Sequence, residues 1–214
     1  MNAYAYFPPE TVHIAVVDPG VGSSRRAVAI QCANFCLVGP DNGLFSGVLS
    51  RESAIESVEL TNPKYWRTPL PSSTFHGRDI FAAAGVHLAN GVALEELGEA
   101  IDPNSLVQLQ IPNCAVTATG IEGCVQYVDR FGNLITNIPN NCIQNNNWSV
   151  RIDRISDAIL IPSGETYNDC QPGDLVAIIG SDGWLEISVN GGSAQSVLKL
   201  ECGAIVQLIF KTKK

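Results

Sequence analysis

The sequence predicts two domains, an α/β domain built on a mostly parallel sheet with flanking helices and an all-β domain after it. In the first half, a nearly continuous apolar run at 11–18 is followed by glycine-rich turns and by stretches with helical spacing. From about Cys114 onward, short strand-like segments are separated by Gly, Asn, Asp and Pro. We therefore expect domains at 1–111 and 112–214.

Local patterns predict the elements of the first domain. The segment TVHIAVVD at 11–18 is expected to be buried on both faces, because helices cover both sides of a parallel sheet. RAVAIQ and FCLVGP predict two further strands before the turn PDNG at 40–43. Helical segments are predicted at 44–50, in IFAAAGVHLAN with Asp79 as its N-cap, and in ALEELG from Ala93.

The second domain is predicted to contain mainly short strands. These are CAVTATGIEGCVQYVD, WSVRID, DLVAIIG, WLEISV and AIVQLIF. The polar run at 140–148 predicts a loop without catalytic residues.

The chain begins close to its first strongly apolar strand, whereas a doubly wound sheet normally has earlier elements. A sheet without its first strand and helix would leave apolar surface and unpaired backbone groups uncovered. We therefore expect the first domain to be truncated at its N-terminus.

Charge and hydropathy argue against some partners. The 214 residues include 13 Lys and Arg against 21 Asp and Glu, and the scattered basic residues form no stripe that could neutralise a phosphate backbone. The apolar stretches are far shorter than the roughly 20 residues of a membrane-spanning helix, and no signal peptide is visible. We expect no nucleic acid partner, no membrane partner and a cytoplasmic location.

The cysteine and histidine patterns do not predict a metal site. The seven Cys residues form no C-x-x-C pair, and the three His residues form no H-x-H or H-E-x-x-H pattern. We therefore expect neither a metal nor a cofactor.

Polar residues follow the first apolar strand in VVDPGVGSSRR. Asp18 is expected at the C-terminal end of the strand, where ligands bind in open α/β sheets. Gly20 and Gly22 permit close backbone approach, and Arg25 and Arg26 lie within reach of the carboxylate. The same pattern also fits a tight turn with a surface ion pair, which is the commoner outcome for an isolated Gly-x-Gly.

His76 precedes a probable helix start in STFHGRD. A His in such a loop can position a proton or a water, but most are satisfied structural groups. The pattern leaves both interpretations open.

Two later segments contain candidate ligand-binding residues. In YVDRFGNLITNI, the ring of Phe131 and the amide of Asn133 would suit an adenine base, although an ordinary hairpin explains the same pattern. GSDGWLEISVNGGSA, at 180–194, predicts either ordinary turns or a loop that lines a ligand.

Taken in order, VVDPGVGSSRR, LVGPDNGLFS, STFHGRDIFA, YVDRFGNLITNI and SDGWLEISVNGGSA resemble the SAM hydroxide adenosyltransferase family, whose relatives include the fluorinase and chlorinase enzymes. The resemblance covers essentially the whole chain. It implies hydrolysis of S-adenosyl-L-methionine (SAM) to adenosine and L-methionine, with an α/β catalytic domain and a β-barrel-like adenine-binding domain. The family's opening strand, with an acidic residue that holds the ribose hydroxyls, has no counterpart here.

The resemblance also implies the catalytic residues. In the family an Asp, an Arg and a His hold the attacking water at the C5' carbon of the substrate, and the matching positions are Asp18, Arg25 and His76. The halogenating relatives carry Tyr and Thr at the positions of Asp18 and Val21, Ser at that of Gly77, and an extra loop. Hydrolysis rather than halogenation is therefore implied.

Substrate binding is implied for the second domain. Phe131 and Asn133 match positions near the adenine, and Asp129 matches one near the methionine ammonium. The family's second substrate-binding strand and loop correspond to Ser181, Glu186 and Val189 in this sequence. Family members are trimers whose active sites lie between the N-terminal domain of one subunit and the C-terminal domain of the next, so a homotrimer is implied.

Two other interpretations stay open. Without the ribose-binding segment, the chain could be a catalytically inactive protein that still binds SAM or adenosine, which predicts nucleoside binding without product. It could also be an unstable partial chain whose uncovered sheet promotes aggregation.

Overall fold

The computed structural model describes residues 3–143, 147–154 and 157–210 and divides the chain into two compact units, Met1–Ile111 and Pro112–Lys214. Part of the predicted polar loop, residues 144–146, lies outside the described residues. No helix in the described ranges is long and apolar enough to cross a membrane.

The first unit is built on a five-stranded sheet with the order β1-β3-β2-β4-β5. Its strands are β1 (Thr11–Ile14), β2 (Ala27–Gln31), β3 (Phe35–Pro40), β4 (Glu56–Glu59) and β5 (Glu99–Ala100). The predicted mostly parallel sheet is wrong, because only β1 and β3 are parallel and the sheet is mixed. Residues 32–34 join β2 to β3 by a short hairpin, whereas a parallel pair would need a long crossover.

The first strand is shorter and less buried than predicted. β1 ends at Ile14 and lies at the edge of the sheet, where β3 is its only strand neighbour within the described residues. Val16 and Val17, which follow it, are 43% and 66% exposed. The apolar run at 11–18 therefore forms an edge strand and an extended connection to the next loop.

Three short helical regions flank this sheet, namely α1 (Ser46–Leu49), a π-helical turn at Gly77–Phe81, and α2 (Ala82–Ala89), which continues from it. The sheet is nevertheless covered on both faces. Phe81 and Ala84 pack on one face, and Phe45 and Val48 pack on the other. Single 3-10 turns lie at Tyr4–Tyr6, Pro63–Tyr65, Leu94–Leu97 and Pro103–Ser105.

Asp79 does not cap the helix as predicted. The helical region begins at Gly77, so Asp79 is already inside the first turn. Its buried carboxylate accepts hydrogen bonds from Arg78, at 2.7 and 2.9 Å, and from the Ser72 N–H, at 2.9 Å. These bonds hold the pKa of Asp79 well below its usual range.

The second unit is an antiparallel, nearly closed barrel, which confirms the predicted all-β architecture. The strand order is β10-β9-β13-β7-β8-β12-β11, with β6 paired to β7. Ser163 and Ala177 form an isolated bridge that brings the two ends of this order together. The strands are β6 (Ala115–Val116), β7 (Gly120–Val128), β8 (Leu134–Pro139), β9 (Trp148–Asp153), β10 (Ala158–Pro162), β11 (Leu175–Ile179), β12 (Trp184–Val189) and β13 (Ile205–Phe210).

The barrel encloses one apolar core, to which Leu134, Leu185 and Leu208 contribute fully buried side chains. Helical turns at Asn140–Cys142 and Tyr167–Asp169 and the helix α3 (Ala194–Leu198) connect its strands. The core fixes the hairpin ends that carry the candidate binding residues.

Candidate active site

The loop that follows β1 folds back on itself. The Val21 N–H donates to the Asp18 carbonyl at 3.2 Å, and the Ser23 N–H donates to the Gly20 carbonyl at 3.1 Å. The Ser23 hydroxyl also donates to the Gly20 carbonyl and accepts from the Arg25 N–H. These turns bring the side chains of Asp18 and Arg25 together although seven positions separate them.

Arg25 forms a bidentate ion pair with Asp18. Its Nε lies 2.9 and 3.0 Å from the two carboxylate oxygens, and its Nη2 donates to Oδ2. The two side chains are only 9% and 5% exposed, so this is not the surface ion pair that the sequence left open. The guanidinium also lies over the fully buried ring of Phe81, with Cζ 5.2 Å from the ring centroid.

His76 joins this pair through the same guanidinium. Its Nδ1 lies 2.9 Å from Arg25 Nη2. Because a guanidinium can only donate, Nδ1 must accept, and a neutral His76 then carries its proton on Nε2. Burial and the neighbouring Arg25 charge lower the pKa of His76, which favours this neutral form.

A close contact locks the Asp18 loop against the segment that precedes His76. Gly22 has a φ of +79°, and a Cβ there would lie 2.5 Å from the Ser73 carbonyl oxygen. Only glycine fits this approach without moving one of the two segments. The contact therefore helps to set the distance between Arg25 and His76.

We expect Gly22→Ala to lower both stability and catalytic activity, because the new methyl group must displace the Ser73 segment. Gly91→Ala is a matched control, since Gly91 has a φ of +84° and nothing within 4 Å of its Cβ position. The control should lose only about 1–2 kcal/mol from left-handed backbone strain. Thermal unfolding and activity assays of both variants would check this, and equal effects would contradict the role of the contact.

The adjacent Arg26 has a structural role. Its guanidinium binds the buried carboxylate of Asp41, with Nε 2.9 Å from Oδ2, and donates to the side chain and the carbonyl of Ser105. Asp41 also accepts from the Val107 N–H at 2.8 Å. Of the two arginines in VVDPGVGSSRR, only Arg25 thus faces His76.

In the second unit, Asp129 organises the β7–β8 hairpin. Its Oδ1 accepts from the N–H groups of Phe131 and Asn133 at 2.8 and 2.9 Å, and its Oδ2 accepts from the Asn133 amide at 2.9 Å. Gly132 has a φ of +85° and packs against Ser193. This hairpin leaves the Phe131 ring 73% exposed while Asn133 is buried.

Two cavities border this hairpin, and together they contain all six side chains implied for binding. The larger, about 540 Å³, is lined by Phe131, Asn133, Tyr167, Val189, Asn190, Gly191 and Gly192. The smaller, about 220 Å³, is lined by Tyr127, Asp129, Phe131, Asn133, Ile135, Tyr167, Gly180, Ser181, Asp182, Trp184 and Glu186. The first is lined by rings and backbone edges, and the second contains three carboxylates.

Tyr167 lines both cavities and was missed by sequence reasoning. Its hydroxyl donates to Glu186 Oε1 at 2.8 Å, and burial together with this carboxylate raises the pKa of Tyr167 to about 12. The sequence around it, GETYND, has turn composition and no ligand-binding signal. Phe81 was missed for a different reason, since a Phe in an apolar helical stretch is normally read as core.

The first unit is thus a mixed α/β domain with a buried Asp–Arg–His cluster, and the second is a barrel domain with two cavities at one hairpin. The SAM hydroxide adenosyltransferase N-terminal domain matches residues 1–98, and the C-terminal domain of the same family matches residues 123–207. The chain belongs to this family, which confirms the resemblance of its motifs.

Named relatives include hydrolases and halogenases. An (R)-S-adenosyl-L-methionine hydrolase of Salinispora tropica is 39% identical, over 91% of this chain and 73% of the relative. A hydrolase of that name from Thermus thermophilus is 38% identical, over 97% and 79%. A fluorinase of Actinoplanes sp. is 26% identical, over 94% and 78%.

A solved structure of an uncharacterised conserved protein from Thermotoga maritima superposes with a TM-score of 0.88. It is 34% identical, over 97% of this chain and 80% of the other. The two-domain fold is thus that of the family, while the roles of the individual side chains stay predictions.

Proposed function

We propose that this protein hydrolyses SAM to adenosine and L-methionine. The observation that carries the proposal is the cluster in which Arg25 binds the Asp18 carboxylate and His76 Nδ1 at the same time. The names of its relatives and the two cavities beside Phe131 support the same substrate.

The chemistry needs little more than an oriented water. A water oxygen attacks C5' of the ribose while the C5'–S bond breaks, and that electron pair stays on sulfur as the neutral thioether of methionine. The water gives up one proton to bulk solvent, so SAM and water become adenosine, methionine and one released proton without a redox step. Because sulfonium is a good leaving group, positioning and stabilisation of the developing hydroxide are the main tasks, and we propose that no cofactor takes part.

In this proposal the Arg25 guanidinium, which stays protonated and cannot act as a base, lowers the pKa of the attacking water and so favours hydroxide character on its oxygen as the proton leaves. Asp18 fixes the plane of the guanidinium through its bidentate contact. His76 donates from Nε2 to the water oxygen, since its Nδ1 is occupied by Arg25.

A test of this role is to compare His76→Gln with His76→Ala. An amide provides one acceptor and one donor, so we expect His76→Gln to stay within about tenfold of the parent turnover and His76→Ala to lose about 10²-fold. Steady-state kinetics with SAM would measure both. Equal inactivity of the two variants would instead indicate that His76 accepts the proton.

The pH profile provides a second readout for the same residue. Protonation of Nδ1 would break its contact with Arg25, so turnover should fall as the pH drops through the pKa of His76. Because that pKa is lowered, the acid limb should lie below the ordinary value of about 6.5. The limb should disappear in His76→Gln.

The residues around the cluster favour water over a halide as the nucleophile. Asp18, Val21 and Gly77 stand where the resemblance gives the halogenating relatives Tyr, Thr and Ser, and relatives of 38–39% identity are named as hydrolases. Hydrolysis is therefore the preferred reaction.

The direct test is incubation of purified protein with SAM, with chromatographic measurement of adenosine and methionine. We expect both products in equal amounts, and unchanged product when chloride or fluoride is added. A 5'-halogenated nucleoside would overturn the preference for water. Adenosine binding without product would support the alternative that the chain is a catalytically inactive binding protein. The cavities of the second unit would then hold the nucleoside.

We further propose a homotrimer and a cytoplasmic location. Support for the trimer comes from the family resemblance, and light scattering coupled to size-exclusion chromatography would measure the molar mass. A value near three times the 22.9 kDa chain is expected, and a monomeric mass would contradict it.

A further inference from the structure

Tyr167 belongs to a loop that several hydrogen bonds hold in place. Asp169 Oδ2 accepts from the N–H groups of Glu165 and Thr166 at 2.6 and 3.0 Å. The Asn190 amide donates to the Cys170 carbonyl at 2.9 Å at the other end of the loop. The loop therefore presents the Tyr167 side chain to the two cavities in a defined position.

The carboxylate of Glu186 is also held from one side. Its Oε1 accepts from the Tyr167 hydroxyl at 2.8 Å and from the Ser188 hydroxyl at 2.7 Å. Among the described residues, no hydrogen bond uses Oε2. Glu186 is only 7% exposed, and its side chain lines the smaller cavity.

Gly180 leaves space beside the second oxygen. A Cβ at Gly180 would lie 2.9 Å from Glu186 Oε2, so any larger residue would crowd that oxygen. A carboxylate oxygen that faces a cavity without a donor from the protein can accept one from a ligand, and it favours a ligand that carries a cation. The described lining of this cavity also contains Asp129 and Asp182 but no Lys or Arg that could fill that role.

We infer that Tyr167 is a positioning residue whose hydroxyl fixes Glu186 so that Oε2 faces the smaller cavity, where the resemblance implies that the methionine ammonium group of the substrate lies. The inference rests on the proposed function, because SAM carries such a group on its methionine part. The nucleoside part would then occupy the larger cavity beside Phe131.

The hydroxyl of Tyr167 stays a donor at physiological pH. Its pKa, raised to about 12 by burial and by Glu186, keeps it protonated. With both donors on Oε1, the rotation of the carboxylate is restricted and Oε2 cannot turn away from the cavity. Loss of the Tyr167 hydroxyl should therefore affect only ligands that contact Glu186.

Two stable probes that differ in the amino acid part test this directly. S-adenosylhomocysteine carries the ammonium, and 5'-methylthioadenosine does not. Calorimetric titration of Tyr167→Phe should show a dissociation constant about tenfold higher for S-adenosylhomocysteine and within about twofold of the parent for 5'-methylthioadenosine. Equal weakening of both probes, or no weakening of either, would overturn the inference.

A double-variant comparison separates positioning from direct contact. Glu186→Gln should weaken S-adenosylhomocysteine, and Tyr167→Phe added to it should have less than about twofold further effect. A further tenfold rise in the dissociation constant for S-adenosylhomocysteine, when Tyr167→Phe is added to Glu186→Gln, would show that Tyr167 does not act through Glu186. Tyr65→Phe is the matched control, because the Tyr65 hydroxyl donates to Glu96 in the first unit and lines neither cavity.

The outcomes also distinguish this inference from the proposed function. If the parent protein forms adenosine from SAM but the two probes respond equally to Tyr167→Phe, the inference fails and hydrolysis stands. If the probes respond as expected but no product forms, hydrolysis fails and the positioning role stands. If the parent binds neither probe, the inference is overturned, and product formation from SAM still decides hydrolysis.

Discussion

Arg25→Lys should lower the turnover of SAM by about 10² to 10³-fold while the protein remains folded. A lysine ammonium is a single point charge, and it cannot reproduce the bidentate contact with Asp18 together with the 2.9 Å contact to His76. It would also lose the contact of the guanidinium with the face of the Phe81 ring. Measurement of adenosine release under single-turnover conditions would separate this chemical defect from a binding defect.

The neighbouring arginine provides the control. Arg26→Lys is the same substitution one residue away, and Arg26 contacts Asp41 and Ser105 rather than His76. Its turnover should stay close to that of the parent protein. Similar losses in both variants would mean that the defect is one of loop stability rather than of catalysis.

Asp129→Ala should weaken the binding of SAM by about 10 to 100-fold. The substitution removes the acceptor of three hydrogen bonds, two from backbone N–H groups and one from the Asn133 amide. Hydrogen bonds to a charged group contribute roughly 1.5–3 kcal/mol each, and without them the Phe131 and Asn133 side chains lose their fixed positions. Two values should be measured for this variant, the KM for SAM and the dissociation constant for adenosine.

A carboxylate elsewhere on the barrel controls for this variant. Asp153 is exposed and pairs only with the exposed Arg151 among its described contacts, so Asp153→Ala should leave both values unchanged. An adenosine affinity that is unaltered in Asp129→Ala would show that the hairpin keeps its shape without the carboxylate.

The sequence predicted the second unit better than the first. Short β-branched segments bounded by turn residues identify antiparallel strands locally, as in WLEISV, which forms β12. The direction of pairing in the first sheet is not a local property. A continuous apolar run at 11–18 suggested a central parallel strand, but the position of β1 at the edge depends on which strands lie beside it.

The candidate site shows the same limit. The family resemblance of the ordered motifs implied Asp18, Arg25 and His76 as a set, and the structure brings them within hydrogen-bond contact. The sequence around Tyr167 contains no comparable motif. Its contact with Glu186 spans 19 residues and depends on how the Tyr167 loop packs beside a separate strand. Interactions of this kind become visible only when side-chain positions are known.

The burial of the Arg25–Asp18 pair has a consequence for how the site responds to its medium. Mobile ions screen charges that water reaches, with a Debye length of about 8 Å at physiological ionic strength, but they do not enter a pair whose side chains are 9% and 5% exposed. The electrostatic contribution of this pair to turnover should therefore hardly change between dilute buffer and concentrated salt.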